Sequence, residues 1–234
     1  MGKSFKITIA AVLFSSVVLT SGALWSSENA HQAAGHQAAP AGPSADETLK
    51  NLLESNQHCV TGKLTQRDIV ARRNELVKGQ HPSAVILSCS DSRIPPELIF
   101  DQGFGDIFVI RVAGNVADAV ALGSIEYAVE HLNVPLIMVM GHDKCGAVSA
   151  TVQGGAPEGN IKSIVEKISP AVGKAKASGK TGDDLLDAAI IENVRIVTAG
   201  MTRDSRIIKH LVEAKKVKIV PAKYSLATGK VELL

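Results

Sequence analysis

The sequence predicts an α/β fold: a mainly parallel central β-sheet flanked by helices, with helical arms on its N-terminal side. Two apolar runs carry that expectation, Ala84-Val85-Ile86-Leu87 and Pro135-Leu136-Ile137-Met138-Val139-Met140. Both are short and bounded by polar residues, as strands buried on both faces are. Amphipathic stretches of helical period alternate with them, which predicts βαβ units. Each run also ends abruptly in chemistry, the first in Cys89, Asp91 and Arg93, the second in His142 and Cys145. Open parallel sheets place their ligands at the carboxyl ends of strands, so the two polar clusters are expected to meet.

The chain has 234 residues, 45% hydrophobic and 21% charged, enough for one domain with a substantial core. Aromatic residues are only 3%, so that core must rest on Val, Ile, Leu and Ala. The formal net charge is +2, and Lys3 and Lys6 account for both charges. The remainder is balanced, which gives no electrostatic case for nucleic acid or an anionic membrane as partner.

Taken in order, Lys3 and Lys6 form a short basic segment, Ile7 to Thr20 an apolar one, and Ser21-Gly22-Ala23 a small-residue cleavage site. Residues 1–23 therefore read as a signal peptide, with export to a bacterial periplasm or secretion. An uncleaved anchor is the alternative, although the apolar run is short for a membrane span. Residues 24–46, rich in Ala, Gly, Pro, His and Gln, read as a flexible leader. The folded domain is expected over 47–234. It opens with a helix carrying Leu49, Leu52 and Leu53 on one face, and Thr65 with Asp68 opens a second through Ile69, Leu76 and Val77.

Beyond the first strand, Pro95 and Pro96 fit the opening of a short helix through Phe100. Gly103 and Gly105 precede a second buried strand, Ile107 to Val112. Asp118 fits the N-cap of a helix with Leu122, Ile125, Val129 and Leu132 on one face. After Cys145 come helices around 147–152, 160–177, 184–199 and 203–213. A last strand over 217–224, a turn at Thr228-Gly229 and Val231-Glu232-Leu233 close the chain.

Two thiolates and an imidazole are a donor set that zinc selects, and three protein ligands leave a fourth tetrahedral position open for catalysis. Cys89 alone is weak evidence, because a cysteine at a strand end usually just packs. His142-x-x-Cys145 is stronger, since residues three apart around a tight turn can chelate one ion. Cys59 is left over, and the odd count of cysteines argues against a disulfide framework. It reads as a small buried or half-buried residue.

Cys89-Ser90-Asp91-Ser92-Arg93 followed by His142-x-x-Cys145-Gly146 resembles the β-class carbonic anhydrases, in an exported bacterial form. The resemblance takes in Pro95-Pro96-Glu97, Phe108 to Arg111, Gly114-Asn115-Val116, Ser124 to Ala128 and Tyr224 to Leu234. It covers the chain from about Leu49 onward. It implies one Zn2+ per subunit on Cys89, His142 and Cys145, and reversible hydration of CO2 to bicarbonate and a proton by zinc-bound hydroxide. Asp91 and Arg93 match the family's catalytic dyad. Arg93 holds the carboxylate off the metal, and Asp91 becomes a fourth ligand only in a closed, inactive state. Gln80, Phe108, Tyr127 and Gly146 are carried over as contacts to CO2 or bicarbonate. The family's unit is a homodimer embraced by N-terminal arms, often paired into tetramers, and residues 49–77 correspond to the arms.

One departure places the chain in the plant-like subgroup that bicarbonate does not regulate. Ile86 stands where the regulated subgroup has Trp, although Arg111, another part of that second site, is present. Two rival readings remain at this stage. One is the same scaffold hydrolysing carbon disulfide or carbonyl sulfide. The other is a non-enzymatic zinc module, which would need a fourth Cys or His that is not evident.

Overall fold

The computed structural model describes residues 42–234; residues 1–23, expected to be a signal peptide, and nearly all of the expected leader over 24–46 lie outside them. The first helix, α1 (Ala45–Val60), begins before the expected boundary at 47 because its cap is complete. The Ser44 side chain accepts from the Glu47 N–H at 3.3 Å, and the Glu47 carboxylate accepts from the Ser44 N–H at 2.8 Å. Such a reciprocal box satisfies two otherwise orphaned donors and fixes where a helix starts. Leu49 and Leu52 bury the inner face of α1. The buried Asn56 fastens its far end, donating to the Ile99 and Gly229 carbonyls, both at 2.9 Å, and accepting from the Val231 N–H at 3.0 Å.

The second arm helix, α2 (Ile69–Glu75), is capped by Asp68, and a 3-10 turn over Leu76–Lys78 follows it. Thr65 does not help to open it. Its N–H and hydroxyl donate instead to Asp101, at 3.1 and 2.6 Å, beside Arg67 at 2.7 Å and His58 at 2.6 Å. Burial pushes the Asp101 carboxyl up, but these donors outweigh it and hold the group well below the usual carboxylate range. The apolar residues of α2 are not buried in this chain, and Val77 is 79% exposed.

Five strands form the sheet: β1 (Ala84–Ser88), β2 (Ile107–Arg111), β3 (Leu136–His142), β4 (Lys218–Tyr224) and β5 (Val231–Leu233). Their order is β2-β1-β3-β4-β5, parallel except for β5, which pairs antiparallel with β4. β1 and β3 are buried at every residue, because each has a strand on both edges and helices on both faces. β2 was expected to be equally buried; it is an edge strand, and all five of its residues are only half-buried.

Successive residues face opposite sides of a strand, and the core divides accordingly. On one face Ala84, Ile86, Leu136, Met138 and Met140 pack with α1, α3 (Pro96–Ile99), α5 (Gly146–Gln153) and α6 (Ile161–Ala177). On the other, Val85, Leu87, Ile137 and Val139 pack with α4 (Ala119–His131) and α8 (Arg206–Glu213). The long α7 (Gly182–Asp204) serves both, with Ala189 and Ile190 in the first cluster and Val194 and Met201 in the second. Helices expected over 184–199 and 203–213 thus meet later, at Ser205, which closes α7 and caps α8 through the Ile208 N–H at 3.1 Å.

Candidate metal centre

β1 and β3 are hydrogen-bonded neighbours in the register Ser88↔Met140, so the segments leaving their carboxyl ends emerge side by side. Cys89 is the first residue past β1, and His142 is the last of β3. Cys145 then stands at the N-cap of α5. The turn between them is made at Lys144, whose φ of 52° lies in the left-handed region. A non-glycine residue there is uncommon and costs energy that the surroundings must offset. It returns the chain so that Cys145 faces His142.

The Cys89 Sγ, the Cys145 Sγ and a ring nitrogen of His142 all lie within 4.8 Å of one another, and all three residues are buried. The sulfurs are 4.0 Å apart. That is far too long for a disulfide, and close to the ~3.8 Å edge of a tetrahedron with metal–sulfur bonds of ~2.3 Å. The His142 Nδ1–H donates to the Asp143 carbonyl at 2.8 Å, which leaves the Nε2 lone pair for the cluster. That buried Nε2 has no hydrogen-bond partner. A histidine with one ring nitrogen bonded to a carbonyl and the other aimed at two sulfurs has the arrangement of a metal ligand. The residues present fit zinc.

The sulfurs are prepared unequally. The Cys89 thiol is pulled down, by its hydrogen bond with Cys145 and by the Asp91 and Gly114 N–H groups, against burial. Cys145 is pushed up, because its proton is shared with Cys89 and because it is buried; the Ala147 and Val148 N–H groups at the start of α5 pull the other way. Gly114 brings its N–H to 3.2 Å from the Cys89 Sγ with a φ of 66°, and a Cβ there would lie 2.6 Å from the Ile168 Cδ1. Only glycine allows that approach without strain. Asn193 of α7 braces the same turn by donating to the Gly114 carbonyl at 2.7 Å.

Asp91 sits at the cluster's open side, its Oδ2 3.9 Å from the His142 Nε2. Arg93 closes on it with Nε at 2.9 Å and a terminal nitrogen at 2.8 Å, and the Arg93 N–H adds a bond at 3.0 Å. These bonds, the Arg93 side chain first, hold the Asp91 carboxyl far below the usual carboxylate range.

Solved structures share this architecture. The β-carbonic anhydrase CafA of Aspergillus fumigatus superposes with a TM-score of 0.65 at 24% identity, covering 81% of this chain and 89% of its own. The β-carbonic anhydrase CcaA superposes with a TM-score of 0.63 at 26% identity, covering 79% and 94%. In sequence, a carbonic anhydrase of Mycolicibacterium smegmatis is 41% identical over 189 residues, 79% of this chain and 90% of the relative. The family model described as carbonic anhydrase matches residues 84–231, which include all three candidate ligands and the dyad.

The chain belongs to the β-class carbonic anhydrase family.

The site lies at the carboxyl ends of β1 and β3, but the structure does not gather every expected residue there. Gly146 adjoins Cys145 at the start of α5. Phe108 of β2 packs toward the other face of the sheet, against the cluster of Val85 and Leu87, with the Tyr127 ring centroid 6.5 Å from its own. Tyr127 is 49% exposed, and Gln80 lies on an exposed segment ahead of β1, outside the stretch matched by the family model. Within one chain, these three do not join the metal cluster. Conversely, Gly114, Asn193 and the Asp143 carbonyl were not foreseen as parts of the site. Asn193 carried the one signal, an amide among the apolar residues on the buried side of a long helix.

Proposed function

We propose that the chain hydrates CO2 reversibly to bicarbonate and a proton at a zinc ion held by Cys89, His142 and Cys145. The observation that carries the reading is the convergence of two sulfurs on a histidine nitrogen whose tautomer is already set. Zinc in such a site supplies Lewis acidity that brings the ionisation of water to near neutral pH. The protein's own part is orientation. Asp91, kept ionised by Arg93, can accept a hydrogen bond but has no proton to give, so it selects the O–H of the attacking water and turns a lone pair toward the substrate carbon. Arg93 meanwhile occupies both carboxylate oxygens and restrains Asp91 from turning inward to the metal. The new C–O bond yields bicarbonate, and the displaced proton leaves to solvent or buffer.

Phe108, Tyr127 and Gln80 act, in this reading, from a second copy of the chain. The exposed apolar residues Ile69, Val70 and Val77 on the arm support a homo-oligomer, a dimer or dimer of dimers. The fully buried Ile86 offers no hydrogen-bond donor for a second bicarbonate, so the enzyme is of the unregulated kind. The signal-like residues 1–23 support export to the periplasm or beyond, with residues 24–46 as leader and the enzyme over 47–234.

The deciding experiment is stopped-flow CO2 hydration on protein of measured zinc content. Hydration proportional to bound zinc is expected; stoichiometric zinc without hydration refutes the enzyme reading. Added bicarbonate at fixed pH should inhibit only as product, and cooperative inhibition refutes the unregulated assignment. Cell fractionation tests export, which full-length protein confined to the cytosol refutes.

A further inference from the structure

The segment after β1 carries both a ligand and the dyad acid, yet it has left the sheet. The strand ladder ends at Ser88↔Arg111 on one side and Ser88↔Met140 on the other. The carbonyls of Cys89 and Asp91 therefore have no neighbouring strand to bond. Within the segment, the Ile94 N–H donates to the Asp91 carbonyl at 3.2 Å, a local turn that does not anchor it to the rest of the protein. Arg93 grips Asp91 only two residues away, so that pair also moves with the segment.

The anchor comes from β2. Arg111 is the last residue of that strand and lies opposite Ser88. Its Nε donates to the Cys89 carbonyl at 3.1 Å, and one terminal nitrogen donates to the Asp91 carbonyl. Arg111 touches neither a ligand atom nor the Asp91 carboxylate in these bonds. It grips the backbone on which both are mounted. A guanidinium is a rigid planar fork whose donors keep fixed spacing, and hydrogen bonds from a charged donor are the stronger kind. The site is partly buried, where water competes less for the two carbonyls.

We propose that Arg111 is a positioning residue of the metal centre, setting the Cys89 sulfur and the Asp91 carboxylate in fixed relation by bridging the two carbonyls between them. The inference rests on the zinc reading above. It also changes what Arg111 is free to do: with Nε and a terminal nitrogen committed to the segment, the side chain is a brace and not a receptor for a passing anion. Lysine cannot replace it, since a single ammonium on a flexible stem cannot hold two carbonyls in one plane.

The test uses the full-length protein as wild type, Arg111→Lys and Arg111→Met. Zinc affinity is measured by competition with a chelator, and the cobalt-substituted forms are compared by their thiolate charge-transfer and ligand-field bands. Supporting residues of metal sites typically cost ~10–100-fold in affinity or activity when removed. A loss of that size is expected in both variants, with altered cobalt bands, even though Arg111→Lys keeps the charge. Should Arg111→Met fail to fold, Arg111→Lys decides alone. Lowered thermal stability with wild-type zinc affinity and an unchanged cobalt spectrum would mean that Arg111 merely secures the edge strand, and that result overturns the proposal. Failure of the wild-type protein itself to bind zinc stoichiometrically overturns the parent reading, and this one with it.

Discussion

The two segments that supply the metal ligands are built on opposite plans. The turn from His142 to Cys145 is held by backbone groups, its own and those of the neighbouring strand β4 and the helix it opens. His142 bonds the carbonyl of the next residue, the Asp143 N–H bonds the Tyr224 carbonyl at 3.1 Å, and the Cys145 carbonyl accepts from the Ser149 N–H at 2.9 Å as α5 begins. The Cys89–Arg93 segment is held by parts of the chain far from it: Gly114 at the Cys89 sulfur, Asn193 behind Gly114, and Arg111 across two carbonyls. The difference separates two duties. A turn seated on the backbone of its adjoining strand and helix gives a fixed pair of ligands, while a segment clamped by more distant loops and side chains can carry a third ligand and present an acid to the substrate.

The most severe way to probe that division spares neither side. Cys89→Ala, His142→Ala and Cys145→Ala should each lose stoichiometric zinc, measured by metal analysis, and CO2 hydration should fall to background. Any of the three that kept full zinc and activity would remove its residue from the ligand set. The next pair of variants separates the segments. Asp91→Asn should keep its zinc but hydrate CO2 ~100-fold more slowly, because misdirected reactants cost about that much. Asp143→Asn should stay within a few-fold of wild type by stopped flow, since its contribution to His142 is a backbone carbonyl. Equal losses in these two would erase the distinction.

Smaller effects test the outside clamps. Gly114→Ala places a side chain at a φ of 66° and crowds Ile168. It should cost ~1–3 kcal/mol in thermal unfolding and also weaken zinc binding as the N–H withdraws from Cys89. Loss of stability with unchanged zinc affinity would detach Gly114 from the metal centre. The least effect is expected at Lys223, whose ammonium lies 2.6 Å from Asp187 and 3.4 Å from Asp143. Lys223→Met should cost no more than ~1 kcal/mol and leave zinc affinity unaltered, because a partly solvated ion pair outside a backbone-held turn adds little. A tenfold loss of zinc affinity there would show that the turn depends on side-chain support as well as on the backbone bonds that seat it.

Which of these features the sequence discloses follows from how local their causes are. β1 and β3 were legible because burial on both faces writes an unbroken apolar run, and the ligands stand directly at its end. The capped start of α4 was legible too, since Asp118 bonds the Ala121 N–H only three residues on. The edge position of β2 was not, because an apolar run does not say how many neighbours a strand has. The junction of α7 and α8 was placed too early, although Ser205 offered a capping hydroxyl, since several polar residues there compete for that role. The grip of Arg111 was illegible for a stronger reason. It bonds carbonyl groups, which every residue possesses, and only the register of β2 against β1 selects Cys89 and Asp91. The same register shows Phe108 opposite Val85, toward the far face. Motif likeness could name Phe108 but not say on which face of the sheet it packs.

Asn56 has a consequence in time. Its amide joins α1 to Gly229 and Val231 across 173 and 175 residues of sequence. Contacts of such separation form late, because closing a long loop costs entropy before the contact returns any stability. During synthesis α1 emerges well before these residues, so its buried amide can bond the Ile99 carbonyl early but must wait for Gly229 and Val231 before its other two bonds close. Until then the first helix is fastened by its apolar inner face, by the Asn56 bond to the Ile99 carbonyl and by His58 on Asp101. A nascent chain of this design postpones the final locking of its first helix until the β5 residues have been made.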